Sequence, residues 1–289
     1  MRVWVAGARG LLGQAVVGQL VAQGTDHVAT DRDVDLTDAA AVDAFAAAEP
    51  FTHVINCAAY TAVDRCETEE DLARQVNADA PGHLARAARA RGAVLVHVST
   101  DYVFAGDGHA PYREDDPTGP VSAYGRTKLL GEQRLFAAIG DGAGYVVRTS
   151  WLFGAGGPCF PATMLRLFGE RPEVRVVDDQ HGRPTYAPDL AAALIALAER
   201  RPAPGVYQFA NAEPATWFQL ALATRAAAAA LGRHFDVTVM PVPSTAYPTP
   251  AKRPAWSVLA TDKLEAALGA APPSWRPGLG ALVAALLTT

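Results

Sequence analysis

Along the first half of the chain, short runs of apolar and β-branched residues alternate with Ala-rich segments whose apolar positions recur at helical spacing. Strands are expected at Arg2 to Ala6, His27 to Thr30, His53 to Asn56, Val94 to Ser99 and Gly144 to Arg148, with helices near 11–23, 38–48, 69–91 and 122–138. Such alternation is the pattern of a parallel sheet covered by helices on both faces. Five strands in about 148 residues suit a doubly wound α/β nucleotide fold. After Trp151 the rhythm loosens, beginning with Gly154-Ala155-Gly156-Gly157-Pro158, and Pro-rich stretches at 241–254 and 272–277 surround short elements. A smaller, loop-rich second domain is expected there. Gly205-Val206-Tyr207-Gln208-Phe209-Ala210-Asn211 reads again as a strand, so the two domains interleave. Residues 1–150 and about 188–229 are assigned to the first, and about 151–187 and 230–289 to the second.

Composition changes this picture little. Half of the 289 residues are hydrophobic, but 59 of them are Ala, which favours helices over a greasy surface. The segment from Gly278 onward offers only about a dozen weakly apolar residues where a membrane span needs roughly twenty, so no membrane association is expected. The first residues lack the apolar stretch of a signal peptide, which points to the cytoplasm. A net charge of −5 with both signs spread along the chain disfavours nucleic acid or anionic lipid as a partner. Cys57, Cys66 and Cys159 have no metal or disulfide spacing and read as inert thiols; no metal is expected. Of the 25 basic residues only Lys128, Lys252 and Lys263 are lysines, so a lysine here carries information.

Gly7-Ala8-Arg9-Gly10-Leu11-Leu12-Gly13 follows the first strand and opens the first helix, where a βα turn lets backbone approach a pyrophosphate. Glycines allow the approach, and the helix N-terminus supplies N–H groups and partial positive charge. Gly7, Gly10, Leu11, Leu12 and Gly13 are therefore candidate cofactor contacts, and the sheet is expected to be Rossmann-like. At the end of the second strand, Asp31 would bind a ribose hydroxyl and favour NAD, whereas Arg32 would pair with a 2′-phosphate and favour NADP. The cofactor expected is NADPH, with NADH also accepted. Asp35 and Leu36 follow as further cofactor candidates. Asp35 could accept a hydrogen bond from adenine, while Thr37 or Asp38 could cap the next helix.

Tyr124 and Lys128 stand four apart on one helix face. A nearby ammonium and an oxidised nicotinamide both favour the phenolate, bringing the phenol toward the range useful for acid/base work. Gly125 and Gly131 lie inside the same helix, each costing about 1 kcal/mol relative to Ala, which implies close approach of a backbone or ligand. Upstream, Ser99 and Thr100 end a strand where open α/β sheets bind ligands, so this hydroxyl pair is expected to face the cleft and polarise a carbonyl.

Taken in order, the glycine turn, Asn56-Cys57-Ala58-Ala59-Tyr60-Thr61-Ala62-Val63-Asp64, Ser99-Thr100-Asp101-Tyr102-Val103-Phe104 and the Tyr124/Lys128 pair resemble the extended short-chain dehydrogenase/reductase superfamily. Arg148 to Gly154, Asp179 to Thr185 and Lys252 to Leu259 extend the resemblance to the dTDP-4-dehydrorhamnose reductase family, nearly end to end. The resemblance implies Thr100, Tyr124 and Lys128 as catalytic hydroxyl, general acid and nicotinamide-holding lysine. It places Ala58, Ala59 and Tyr60 along the cofactor, and Thr61, Val63, Asp101, Tyr102 and Trp151 toward the sugar or its nucleotide. Arg253 reads either as a surface base or as a ligand for the diphosphate. The implied activity is NAD(P)H-dependent reduction of the 4-keto group of a dTDP-sugar, with a homodimer admitted. Its rivals are another nucleotide-sugar 4-ketoreductase or epimerase, and a non-catalytic regulatory subunit similar to the β subunit of methionine adenosyltransferase. Trp256 stands where the family often has Asn.

Overall fold

The computed structural model describes residues 1–288. The chain opens with β1 (Arg2–Ala6), α1 (Leu11–Ala22), β2 (Asp26–Thr30), α2 (Ala39–Ala48) and β3 (His53–Asn56). Short helices α3 (Val63–Cys66) and α4 (Glu70–Arg74) then lead through a π-helical segment, Gln75–Asp79, into α5 (Ala80–Arg91). The single helix expected over 69–91 is thus interrupted. Next come β4 (Val94–Thr100), α6 (Ala123–Ile139) and β5 (Gly144–Thr149). The second half contains β6 (Leu152–Phe153), α7 (Phe160–Glu170), β7 (Glu173–Val177), β8 (His181–Gly182), β9 (Thr185–Tyr186), α8 (Ala187–Arg200) and β10 (Gly205–Gln208). It ends with β11 (Ala215–Thr216), α9 (Trp217–Ala230), β12 (Thr238–Val242), α10 (Asp262–Leu268) and α11 (Trp275–Thr288).

Six strands form one parallel sheet in the order β10-β5-β4-β3-β1-β2. Alternate side chains of each strand face opposite sides, and both sides are buried, which explains why these strands read as continuous apolar runs. Trp4, Val54, Leu95 and Val146 pack toward α2, α5 and α6. Val3, Val5, Ile55, Val96 and Val147 pack toward α1 and α8. From β1 the chain moves to β2 on one side, and β3 then lies on the other. That reversal opens a crevice at the carboxyl ends of β1 and β3, where ligands of such sheets bind.

Helix α9 falls inside the 188–229 segment assigned to the first domain from sequence, yet Leu220, Ala221 and Ala228 pack with Leu165, Phe168, Leu279 and Leu282 of α7 and α11, away from the sheet. Conversely Leu264 of α10, outside that segment, joins the core under α8. An Ala-rich helix shows which face is buried and carries no sign of which core receives it.

The glycines of α6 are explained by backbone contact. A Cβ on Gly125 would lie 2.2 Å from the Tyr102 carbonyl oxygen, and one on Gly131 would lie 2.0 Å from that of Asn77. Gly131→Ala should therefore destabilise the fold by about 1–3 kcal/mol by pushing α6 off the π-helical segment. Equilibrium urea unfolding measures this, and an unchanged midpoint would show that the segment yields freely. No helix among the described residues is long and apolar enough to cross a membrane.

Candidate active site

Two of the turn glycines are required by the protein's own packing. Gly7 has φ +75°, and a Cβ there would meet the Ala58 nitrogen at 2.6 Å; one on Gly13 would meet the Gly7 carbonyl oxygen at 2.1 Å. Gly10 is different, because its Cβ would make only an ordinary 3.4 Å contact with Gly7. It caps α1 without a side-chain hydrogen bond, and no acid stands in the first turn. The uncapped N–H groups suit an anion, as a dinucleotide pyrophosphate requires. Leu12 is buried in the sheet core and can offer a ligand only its backbone, while half-buried Leu11 packs against that core.

At the tip of β2 the Asp31 carboxylate accepts the Arg9 N–H at 3.0 Å, and Arg32 stands exposed beside it. Arg9, also exposed, is a second cation at this corner that sequence reading did not single out. Asp35 accepts both the Thr37 hydroxyl (2.7 Å) and the Thr37 N–H (2.9 Å), which hold its carboxyl below the usual range. The cap of α2 falls to Asp38, which accepts the Ala40 N–H at 2.9 Å. Leu36 packs against the core, and its carbonyl lies 3.0 Å from His83 Nδ1.

The strip after β3 is clamped from below. Asn56 Oδ1 accepts the Ala58 N–H at 3.0 Å. Asn77 accepts the Tyr60 N–H at 2.8 Å and donates to the Tyr60 carbonyl at 3.1 Å and to Thr127 at 3.3 Å. Ala58, Ala59 and Tyr60 are thereby fixed beside α6, and the Tyr60 hydroxyl donates to Glu69. Asn77 carried no sequence signal, since its partners lie 17 and 50 residues away.

Ser122 caps α6 by accepting the Gly125 N–H at 3.2 Å, which presents Tyr124 and Lys128 toward the end of β4. There the two hydroxyls part. Ser99 turns inward to donate to buried Glu132, which is itself forked by Arg148 at 2.8 and 3.1 Å. Thr100 is the other hydroxyl: it donates to Asp101 at 2.9 Å and accepts the Tyr102 N–H at 3.2 Å, close to the Tyr124 phenol. The Tyr124 ring meets Tyr102 edge-on, with centroids 5.6 Å apart. Burial pushes the phenol above its ordinary value. The expected help from an ammonium is absent from this state, because Lys128 Nζ donates to the Val98 carbonyl at 2.6 Å and lies 3.2 Å from His97 Nε2. Burial lowers Lys128 to about 8, against the raising influence of Glu132. Burial likewise pushes Asp101 up to about 6, against the hydrogen bond from Thr100.

On the facing wall Arg253 forks onto Asp64, with Nη1–Oδ1 3.0 Å and Nη2–Oδ2 2.9 Å, and the Ala251 N–H joins at 3.1 Å. Asp64 follows Val63 in the first turn of α3, and exposed Thr61 precedes its capping residue Ala62. Trp151 adopts φ +48° and stacks on Trp217 at 3.6 Å, with Gly182 tight against its ring. One ring face is therefore given to packing. Trp256 donates to the Ala110 carbonyl at 2.8 Å and packs on His181, tying its segment to the loop after β4.

A phenol and an amine one helical turn apart, beside a strand-end hydroxyl and across from an uncapped glycine turn, are the working parts of the short-chain dehydrogenase/reductase class. The chain belongs to the family described as RmlD substrate binding domain, whose model matches residues 1–288. It is 48% identical over 269 residues to the dTDP-4-dehydrorhamnose reductase of Streptomyces griseus, covering 91% of this chain and 86% of that protein. It is also 43% identical to a probable dTDP-4,6-dihydroxy-2-methyloxan-3-one 4-ketoreductase of Streptomyces antibioticus, covering 96% and 93%. The crystal structure of the Bacillus anthracis dTDP-4-dehydrorhamnose reductase in complex with NADP superposes with a TM-score of 0.92 at 35% identity, covering 98% and 99%.

Proposed function

We propose that the chain is an NADPH-dependent reductase that converts the 4-keto group of dTDP-4-dehydro-L-rhamnose to the hydroxyl of dTDP-L-rhamnose. The observation that carries this reading is the placement of Tyr124 and Lys128, one turn apart on α6, against the carboxyl end of β4, with Lys128 on the Val98 carbonyl at 2.6 Å and the Tyr124 ring edge-on to Tyr102. When bound, the reduced nicotinamide supplies the hydride. Tyr124 gives its Oη proton to the ketone oxygen, Thr100 holds that oxygen, and Lys128 secures the nicotinamide ribose. The uncapped turn at Gly10 and the clamped Ala58–Tyr60 strip fit a dinucleotide. The wall of Thr61, Val63, Asp101, Tyr102, Trp151 and Arg253 faces the nucleotide sugar, with Arg253 free to exchange Asp64 for the diphosphate. In this reading, the glycine-turn sheet forms the cofactor domain and the cores around α7, α9 and α11 the substrate domain. The enzyme works in the cytoplasm; sedimentation decides between monomer and homodimer.

The test is loss of NADPH absorbance when purified protein meets a dTDP-4-keto-6-deoxy-L-sugar generated by an epimerase, with the reductase omitted as control. No reductase-dependent oxidation of the authenticated substrate rejects the assignment. The name of the Streptomyces antibioticus relative supports a second substrate within the same chemistry, another dTDP-linked 4-keto sugar. Cofactor choice is checked separately. Arg32→Ala should raise KM for NADPH about tenfold, as for loss of a charge-assisted hydrogen bond, and leave NADH nearly unchanged. Equal losses for both would show that Arg32 does not contact the 2′-phosphate.

A further inference from the structure

We propose that His97 is a positioning residue for Lys128, locked by Asn56 into the tautomer that carries its proton on Nε2 and presents it to the lysine amine. The inference deepens the reductase reading by assigning what sets the state of its lysine. It begins at the cofactor strip, where the Ala58 N–H donates to Asn56 Oδ1 at 3.0 Å and so fixes which end of the amide faces outward. The other end, Nδ2, lies 2.9 Å from His97 Nδ1 and can only donate. His97 Nδ1 is therefore the acceptor, and in a neutral ring the proton belongs to Nε2. The ring is neutral because it is wholly buried, which holds it well below its usual value.

That proton points at Lys128 Nζ, 3.2 Å away. An ammonium has three N–H groups and no lone pair, so it cannot accept this hydrogen bond; a neutral amine can, while still donating to the Val98 carbonyl at 2.6 Å. His97 thus favours the amine, opposing Glu132 on the lysine's own helix, whose charge is already matched by Arg148 from β5. Tyr124, on the same helix, is held neutral by burial. With His97 and Asn56 no more than 1% exposed, water cannot reach in to rearrange the chain. The ammonium must turn from His97 toward an acceptor in the cleft, such as a sugar hydroxyl. The buried network therefore pulls Lys128 toward the amine and ties its protonation to an acceptor in the cleft.

Three lysines make this measurable in the free protein. With 13Cε-labelled lysine, Lys128 should titrate near pH 8, apart from the exposed Lys252 and Lys263. Long-range 15N spectra of histidine should show His97 as the Nε2–H tautomer, with no titration between pH 5 and 9. His97→Gln, which adds no charge and can turn a carbonyl oxygen to Nζ, should move the Lys128 midpoint upward by about one pH unit. Asn56→Asp, whose carboxylate accepts from Nδ1–H, should flip the His97 tautomer. A wild-type Nδ1–H tautomer, or a Lys128 midpoint unmoved in folded His97→Gln, overturns the proposal. Neither measurement uses a sugar, so failure here is separate from failure of the reductase assay.

Discussion

Tyr124→Phe should lower kcat by about 10²-fold or more while leaving the fold and the affinity for NADPH unchanged, the usual scale for losing a general acid. Phenylalanine keeps the ring against Tyr102 and loses only the hydroxyl. No neighbour replaces it well. Asp101, pushed up to about 6, is mostly ionised at pH 7 and above, and the Thr100 hydroxyl is too weak an acid to release a proton in that range. Steady-state NADPH oxidation by the variant, alongside a cofactor-binding titration, separates the two effects. A near-wild-type rate with any accepted keto sugar would remove Tyr124 from the mechanism.

The second large effect is on stability. Glu132→Ala should cost about 3–5 kcal/mol, because it leaves the Arg148 guanidinium buried without its carboxylate. Arg148 is 4% exposed, and its remaining partners are the Glu114 carbonyl at 3.2 Å and the face of Phe104 at 5.0 Å. Removing both charges should be milder than removing one, so Glu132→Ala combined with Arg148→Met is expected to recover much of the loss in urea unfolding. If the double variant is as unstable as the single one, packing rather than an unpaired charge is responsible.

The elements legible in the sequence are those whose signal is local. β1 and β3 fall at the expected residues because a strand buried on both faces writes a continuous apolar run. The glycine turn was visible because Gly7 and Gly13 answer constraints within a few residues and at the tip of a neighbouring strand. The Tyr124/Lys128 spacing follows from one helix turn. The rest depended on partners far along the chain. Ser99 and Thr100 are adjacent and chemically alike, and only the buried Glu132 and Arg148 decide that Ser99 turns inward. Trp151 stacks on Trp217 of α9, a partner far along the chain that no local pattern announces. The π-helical break at Gln75–Asp79 places Asn77 under Tyr60, and helical periodicity alone continued straight through it. His97 carries no local signal either, since its partners are a strand neighbour and a helix residue 31 positions later.

The pairing of Arg253 with Asp64 joins residues 189 positions apart, and the hydrogen bonds of Trp256 to Gly106 and of Tyr112 to Val258 close the same wall. A ribosome makes these partners at very different times. The glycine turn, the strip after β3, Thr100, Tyr124 and Lys128 all emerge within the first 128 residues, and α8, which covers one face of their sheet, is complete by residue 200. The wall built around the Arg253–Asp64 pair must wait for residues 249–259. Synthesis therefore imposes an order on assembly, with the glycine-turn side free to fold first and the facing wall finished only when the last fifth of the chain comes back to it.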